Sequence, residues 1–218
     1  LVNVRSADEI SAEYLAAEDE YLRQKTAEKG ITDIEDLSPI EDNIYLWCGD
    51  ITTLKCGAIV NAANSGMTGC YQPCHKCIDN CIHTFAGIRL RLECAGIMEK
   101  QGYPEPTGQA KITLAYNLPC DYVIHTVGPI VSGKLTAEHC RLLESCYRSC
   151  LEIAIQNGID SIAFCCISTG VFGFPKQEAA EIAVNTVRGF LKSHGIKVIF
   201  NVFGSEDYDI YRKILGEN

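Results

Sequence analysis

At 218 residues with a formal net charge of −9, the chain is long enough for one good-sized domain with room for an appendage. Such a domain can bury roughly 70% of the surface its unfolded form exposes. The acidic balance argues against a nucleic-acid partner gripped through a field of lysine and arginine. An anionic ligand would have to be held by backbone amides and helix dipoles. The thirteen cysteines are an odd number, no signal peptide opens the sequence, and Cys165 and Cys166 sit inside an apolar run. This usage fits reduced, buried thiols in a cytoplasmic protein better than a disulfide framework. No apolar run approaches the ~20 residues of a membrane span, so no membrane partner is expected. Leu1 is not a methionine, which leaves room for residues upstream.

Residues 1–42 are charged and lack strand patterning. Ser6-Ala-Asp-Glu9 has the form of a capping box. Tyr14, Leu15, Tyr21 and Leu22 recur as one apolar stripe of a helix that Gly30 should stop. The segment reads as a helical appendage packed on the main domain; a solvated linker is the alternative, against which the two Tyr/Leu pairs weigh. From Ile44 the pattern changes. Ile44–Trp47, Ala58–Asn61, Tyr122–Val127, Ile162–Cys166 and Val198–Phe203 read as buried strands. Between and after them, helices are expected near 78–98, 136–157, 176–193 and 206–215. Continuous apolar strands alternating with helices predict an α/β layered domain over 43–218 with a mixed, largely parallel sheet.

In such sheets ligands sit beyond the carboxyl ends of the strands. Three stretches qualify. Gly49-Asp-Ile-Thr52 follows the first strand, where Asp50 could accept the amino proton of a base with the Ile51 N–H beside it, or could simply cap a turn. Ser168-Thr-Gly-Val-Phe-Gly-Phe174 follows the strand at 162–166 and leads to Pro175 at a plausible helix start. Its glycines allow close backbone approach and its N–H groups can cradle a diphosphate, although an ordinary strand-to-helix turn would look alike. It is neither a Walker loop nor a dinucleotide fingerprint.

The third stretch, Asn61 to Gly87, holds Cys70, Cys74, Cys77, Cys81, His75, His83 and Asp79 in close succession. Thiolates and imidazoles crowded this way suit zinc. The residues allow four readings: a redox pair at Cys74-His-Lys-Cys77, a closed four-thiolate structural site, a three-ligand site with one open position, or buried thiols packed as small hydrophobes. Asp79 and His83 share a helix face. His83 reads equally as a packing residue, and His125, inside a strand, more so.

Taken together, Gly49-Asp-Ile-Thr, Ile59-Val-Asn-Ala-Ala-Asn-Ser65, Tyr122-Val-Ile-His-Thr-Val-Gly-Pro129 and Ile167-Ser-Thr-Gly-Val-Phe-Gly-Phe-Pro175 resemble the macrodomain family of ADP-ribose binders and hydrolases over about 44–215. The segment Gly69-Cys-Tyr-Gln-Pro-Cys-His-Lys-Cys-Ile-Asp-Asn-Cys-Ile-His83 replaces a glycine-rich loop. It resembles the zinc-dependent branch, as does the N-terminal extension. The resemblance implies a macrodomain-like α/β/α sandwich with one zinc held by Cys70, His75 and Cys77, while Cys74 and Cys81 fall on variable positions.

The same resemblance implies that Asp50 and Ile51 hold adenine with Phe203 stacked on it. Ser168, Thr169, Gly170, Val171, Phe172, Gly173 and Phe174 form the diphosphate loop. Asn61, Asn64 and Phe174 border the distal ribose, and Asp79 lies near its anomeric carbon. The implied activity is hydrolysis of mono-ADP-ribose from acidic side chains, with Asp79 and Asn64 catalytic, through an oxocarbenium-like transition state. Zinc could engage a distal-ribose hydroxyl or activate water. The implied partners are an ADP-ribosylated protein, in this branch a lipoyl carrier modified by a sirtuin-like transferase. A non-catalytic ADP-ribose reader and a redox protein are the rival readings.

Overall fold

The computed structural model describes residues 4–216. Helix α1 spans Ala12–Lys29 and ends at Gly30. Its cap is Ser11, whose side chain accepts the Tyr14 N–H, so the Ser6 capping box expected from sequence does not start this helix. The expected apolar stripe is also displaced. Leu22 is buried, but Tyr14 and Tyr21 are exposed, and the inward face is Glu18, Leu22 and Thr26. Glu18 points inward because its carboxylate meets a helix start in the main domain.

Strand β1 (Thr32–Asp33) pairs in parallel with β3 (Leu54–Lys55). The end of the extension is therefore stitched to the domain by main chain as well as by Lys55–Asp33, Lys197–Glu35 and Arg188–Glu41 ion pairs.

The main sheet has six strands: β2 (Ile44–Cys48), β4 (Ala58–Ala63), β5 (Ala110–Leu114), β6 (Tyr122–Val127), β7 (Ser161–Phe164) and β8 (Lys197–Val202). They lie in the order β2-β8-β7-β4-β6-β5. All neighbours are parallel except β5 against β6. The expected strands are present, and β5 is an addition at the antiparallel edge. The chain leaves β4 toward β5 and β6 and returns to β7 on the other side. The switch point, where ligands settle in open α/β sheets, thus lies between β4 and β7.

Helices flank the sheet: α2 (Ile78–Ala86), α3 (Ile88–Gln101), α4 (Ala137–Gln156), α5 (Lys176–Leu191) and α6 (Ser205–Ile214). The single helix expected over 78–98 is broken at Gly87, whose φ of +91° belongs to neither helix. A side chain at Gly87 would run into Glu18 and Leu22 of α1. The break and the docking of α1 are thus one feature. All cysteines are free thiols. No helix among the described residues is long and apolar enough to cross a membrane.

Candidate functional site

All three sequence-selected stretches lie at the carboxyl ends of parallel strands. Gly49–Thr52 follows β2, Asn64 follows β4, and the 168–174 loop follows β7. The Gly49 N–H donates to the Val202 carbonyl at 3.0 Å, which sets Phe203, just past β8, beside the Asp50 turn. Phe203 is 82% exposed, an aromatic face without cover.

Asp50 caps a 3-10 turn at Ile51–Thr53. Its Oδ1 accepts the Thr52 N–H at 3.0 Å and the Thr52 hydroxyl at 2.6 Å. Its Oδ2 accepts Lys29 Nζ at 2.8 Å. Burial pushes the Asp50 carboxyl up, but Lys29 and Thr52 outweigh it and hold the group below the usual carboxylate range.

The 168–174 loop is closed by Phe174 N–H to Ser168 O and Gly173 N–H to Gly170 O, both at 3.0 Å. Ser168 adopts φ +66° and Gly173 φ +67°, left-handed positions that fold the loop tightly. Among the described residues the N–H groups of Gly170, Val171 and Phe172 donate to no backbone carbonyl. Gly170 and Val171 are exposed, whereas Ser168 is buried and Thr169 and Phe172 are half-buried. Free amides on an exposed loop have the geometry to hold an anion, the role expected of this loop from the sequence. Ser168 packs against Gly128 so closely that a Cβ there would stand 2.1 Å from its Oγ.

Asp79 sits in the first turn of α2 and is only 4% exposed. Two amides hold it: Asn61 Nδ2 donates to Oδ1 at 2.8 Å and Asn64 Nδ2 to Oδ2 at 3.1 Å. Burial raises its carboxyl to about 6, with Asn61, Arg91 and Asn64 pulling the other way. Asn64 also donates to the Gly69 carbonyl at 3.0 Å, tying the carboxylate to the start of the cysteine loop. Gly69 needs to be glycine: it has φ +90°, and a Cβ would meet the His83 ring at 2.9 Å.

Asn61 and Phe174 are both buried. Asn61 also donates to His125 Nδ1 at 3.1 Å, so it braces Asp79 from behind.

Cys70, His75 and Cys77 bring their ligand atoms within 4.8 Å of one another. Cys70 Sγ stands 3.5 Å from His75 Nδ1. Cys77 is also the cap of α2, its Sγ accepting the Asn80 N–H at 3.4 Å. Burial, with the neighbouring Cys70 adding, raises the Cys77 thiol to about 11; the Asn80 N–H opposes the rise. Two thiols and an imidazole at this spacing fit a zinc ion, leaving a fourth position to another ligand. Cys74, exposed with φ +56°, and Cys81, half-buried on α2, stand outside the cluster.

Sequence reasoning missed what pins this loop. Asn80 Nδ2 donates to the Cys70 and Gln72 carbonyls at 3.3 Å each. Arg91, buried on α3, donates to the Thr68 carbonyl at 2.8 Å and lies over the Tyr71 ring. The Asn80 neighbour to Asp79 was the available signal; Arg91, distant in sequence, offered none.

His83, Cys94 and His125 form a second, fully buried group. His125 Nδ1 accepts from Asn61, so its Nε2 carries the proton and donates to Thr113 Oγ1 at 2.9 Å. Neither nitrogen retains a lone pair for a metal, and the packing role expected of His125 is the one it fills. His83 Nε2 lies 3.6 Å from Asp79 Oδ1, and burial keeps the ring neutral.

A mixed sheet with a set of loops gathered at the carboxyl ends of its parallel strands defines an α/β domain of the ligand-binding kind. The chain belongs to the Macro domain family, which it matches over residues 60–183. It is 58% identical to a protein-ADP-ribose hydrolase of Treponema medium, with 99% of this chain and 85% of the relative covered. A protein-ADP-ribose hydrolase of Staphylococcus aureus is 53% identical over 98% of this chain and 81% of its own. Among solved structures, the Trypanosoma brucei macrodomain in complex with ADP-ribose superposes with a TM-score of 0.76 at 33% identity, covering 96% of this chain and 92% of that one. The Oceanobacillus iheyensis macrodomain with ADP gives 0.74 at 38% identity, covering 82% and 93%.

Proposed function

We propose that this chain is a zinc-dependent hydrolase that removes mono-ADP-ribose from acidic side chains of modified proteins. The observation that carries the reading is the start of α2. There, Cys77 of the Cys70/His75/Cys77 set and Asp79, held by two asparagine amides, stand two residues apart. The hydrolase names of the relatives support it, as does the ADP-ribose bound in the similar trypanosomal structure.

In this reading Phe203 and the Asp50–Ile51 turn take the adenine, and the free amides at 170–172 take the diphosphate. That leaves the distal ribose at Asn64 and Asp79. Departure of the acidic side chain leaves positive charge spread over the anomeric carbon and ring oxygen. Asp79 meets that charge with a carboxylate that Asn61 and Asn64 hold in place. Such preorganised stabilisation is a large contribution to catalysis. Zinc at Cys70, His75 and Cys77 supplies Lewis acidity toward an oxygen of the ribose or of water. The partner protein in this reading is a lipoyl carrier modified by a sirtuin-like transferase, on the strength of the 69–83 segment's resemblance to the zinc-dependent branch. The thiol usage is compatible with a cytoplasmic setting.

Chelation followed by zinc readdition tests the proposal. Release of ADP-ribose from an aspartyl- or glutamyl-modified protein should be lost and recovered. Full turnover by metal-free protein would remove zinc from the reaction. ADP-ribose binding without turnover under any condition would make the chain a reader module.

A further inference from the structure

Helix α1 does more than pack on the domain. Its last residue, Lys29, reaches the Asp50 turn, with Nζ 2.8 Å from Asp50 Oδ2 and 3.4 Å from Thr52 Oγ1. The ammonium also lies 3.2 Å from the centroid of the Phe85 ring on α2. Contacts to a carboxylate, a hydroxyl and an aromatic face fix a side chain that is otherwise among the most mobile. Asp50 Oδ1 is already committed to both groups of Thr52. Oδ2 is the oxygen left for an incoming donor, and Lys29 occupies it. The pair stays partly accessible, with side chains 31% and 38% exposed.

We propose that Lys29 is a specificity-determining residue that competes with the amino group of the base for Asp50 and so loosens the enzyme's hold on the adenosine end of its ligand. The inference rests on the reading above in which Asp50 meets adenine. A free carboxylate makes a charge-assisted hydrogen bond roughly twice as strong as a neutral one, and sharing it with an ammonium removes much of that advantage. The consequence suits a hydrolase. Grip on a part of the ligand far from the reacting bond is equal in ground and transition states, so it lowers KM without raising kcat. ADP-ribose, the product, carries the same adenosine end, and a weaker hold there speeds its release. The extension would thereby set product affinity from outside the catalytic machinery.

The test is calorimetric titration of the full chain with ADP-ribose and with its 6-deamino purine analogue, which keeps the ring nitrogens and lacks the amino group. Lys29→Met should bind ADP-ribose about 3- to 10-fold tighter than wild type, with affinity for the analogue unchanged. Lys29→Arg should stay near wild type, and Lys29→Gln should match Lys29→Met in sign if the methionine variant folds poorly. Equal or weaker ADP-ribose binding by Lys29→Met and Lys29→Gln, or equal tightening for both ligands, overturns the proposal. Asp50→Asn separates the two levels. If it leaves discrimination between the ligands intact, the adenine reading of Asp50 falls and the proposal with it. If it abolishes discrimination while the Lys29 variants bind as wild type, only the role of Lys29 falls.

Discussion

Replacing Glu18 with alanine should destabilise the whole domain although the residue belongs to the extension. Helix α3 begins after Gly87, which offers no side chain to its free N–H groups. The Ile88 N–H instead donates to Glu18 Oε2 at 2.9 Å, across 70 residues of sequence, and Glu18 is only 8% exposed. Loss of a cap costs ~1 kcal/mol. Loss of a negative charge at a helix N-terminus adds ~0.3–1 kcal/mol. The sum, about 1.3–2 kcal/mol, corresponds in a domain of this size to a fall in Tm of about 3–8 °C. Glu18→Gln keeps an acceptor oxygen and loses only the charge, so it should fall between wild type and Glu18→Ala. Thermal unfolding followed by circular dichroism, with urea titration for the free energy, gives both numbers. A Glu18→Ala protein that melts with wild type would refute the reasoning, as would a Glu18→Gln variant as unstable as the alanine one.

Three further outcomes follow from the site. Cys70→Ser should cut zinc per chain, measured by plasma emission, and hydrolysis together, while Cys74→Ser should spare both; the reverse pattern would favour a redox pair at Cys74 and Cys77. Asn80→Ala removes the two side-chain bonds from α2 to the Cys70 and Gln72 carbonyls of the cysteine loop. It should weaken zinc retention against a competing chelator by about 10-fold, in the range seen for groups that orient metal ligands. Burial lowers His125 from 6.5 to about 3, so the folded state binds fewer protons than the unfolded one. The associated stability is complete above pH ~6.5 and is lost as pH falls toward 3. The urea midpoint should therefore drop between pH 7 and pH 4.5, and less steeply in His125→Asn.

The parallel strands and their order of chemistry were legible because buried strands read as continuous apolar runs. The candidate ligand loops follow them directly. The trio Cys70, His75 and Cys77 was legible through resemblance, since spacing alone leaves Cys74 and Cys81 as equal contenders. Tertiary partners were not legible. Glu18 faces inward because α3 needs a cap, a requirement set by Gly87 far along the chain, so the apolar periodicity of α1 pointed to the wrong face. The break between α2 and α3 was hidden for the same reason: a glycine in a helical pattern reads as tolerable until its neighbour's position is known. Strand β5 was missed because Ala110–Leu114 is half-buried at a sheet edge and lacks the apolar run of the central strands. Asn61 pairs with Asp79 from the core side, and a polar residue in a strand gives no sign of which side it serves.

Cys77 is at once a member of the thiol–imidazole trio and the residue on which α2 begins. A sulfur drawn toward an ion would carry the first turn of the helix with it, and Asp79 rides on that turn. Loading of the metal should therefore be visible in the backbone, as slower amide hydrogen exchange at Asn80 and Cys81, before any substrate is present. Occupancy and alignment of the carboxylate would then be a single mechanical event.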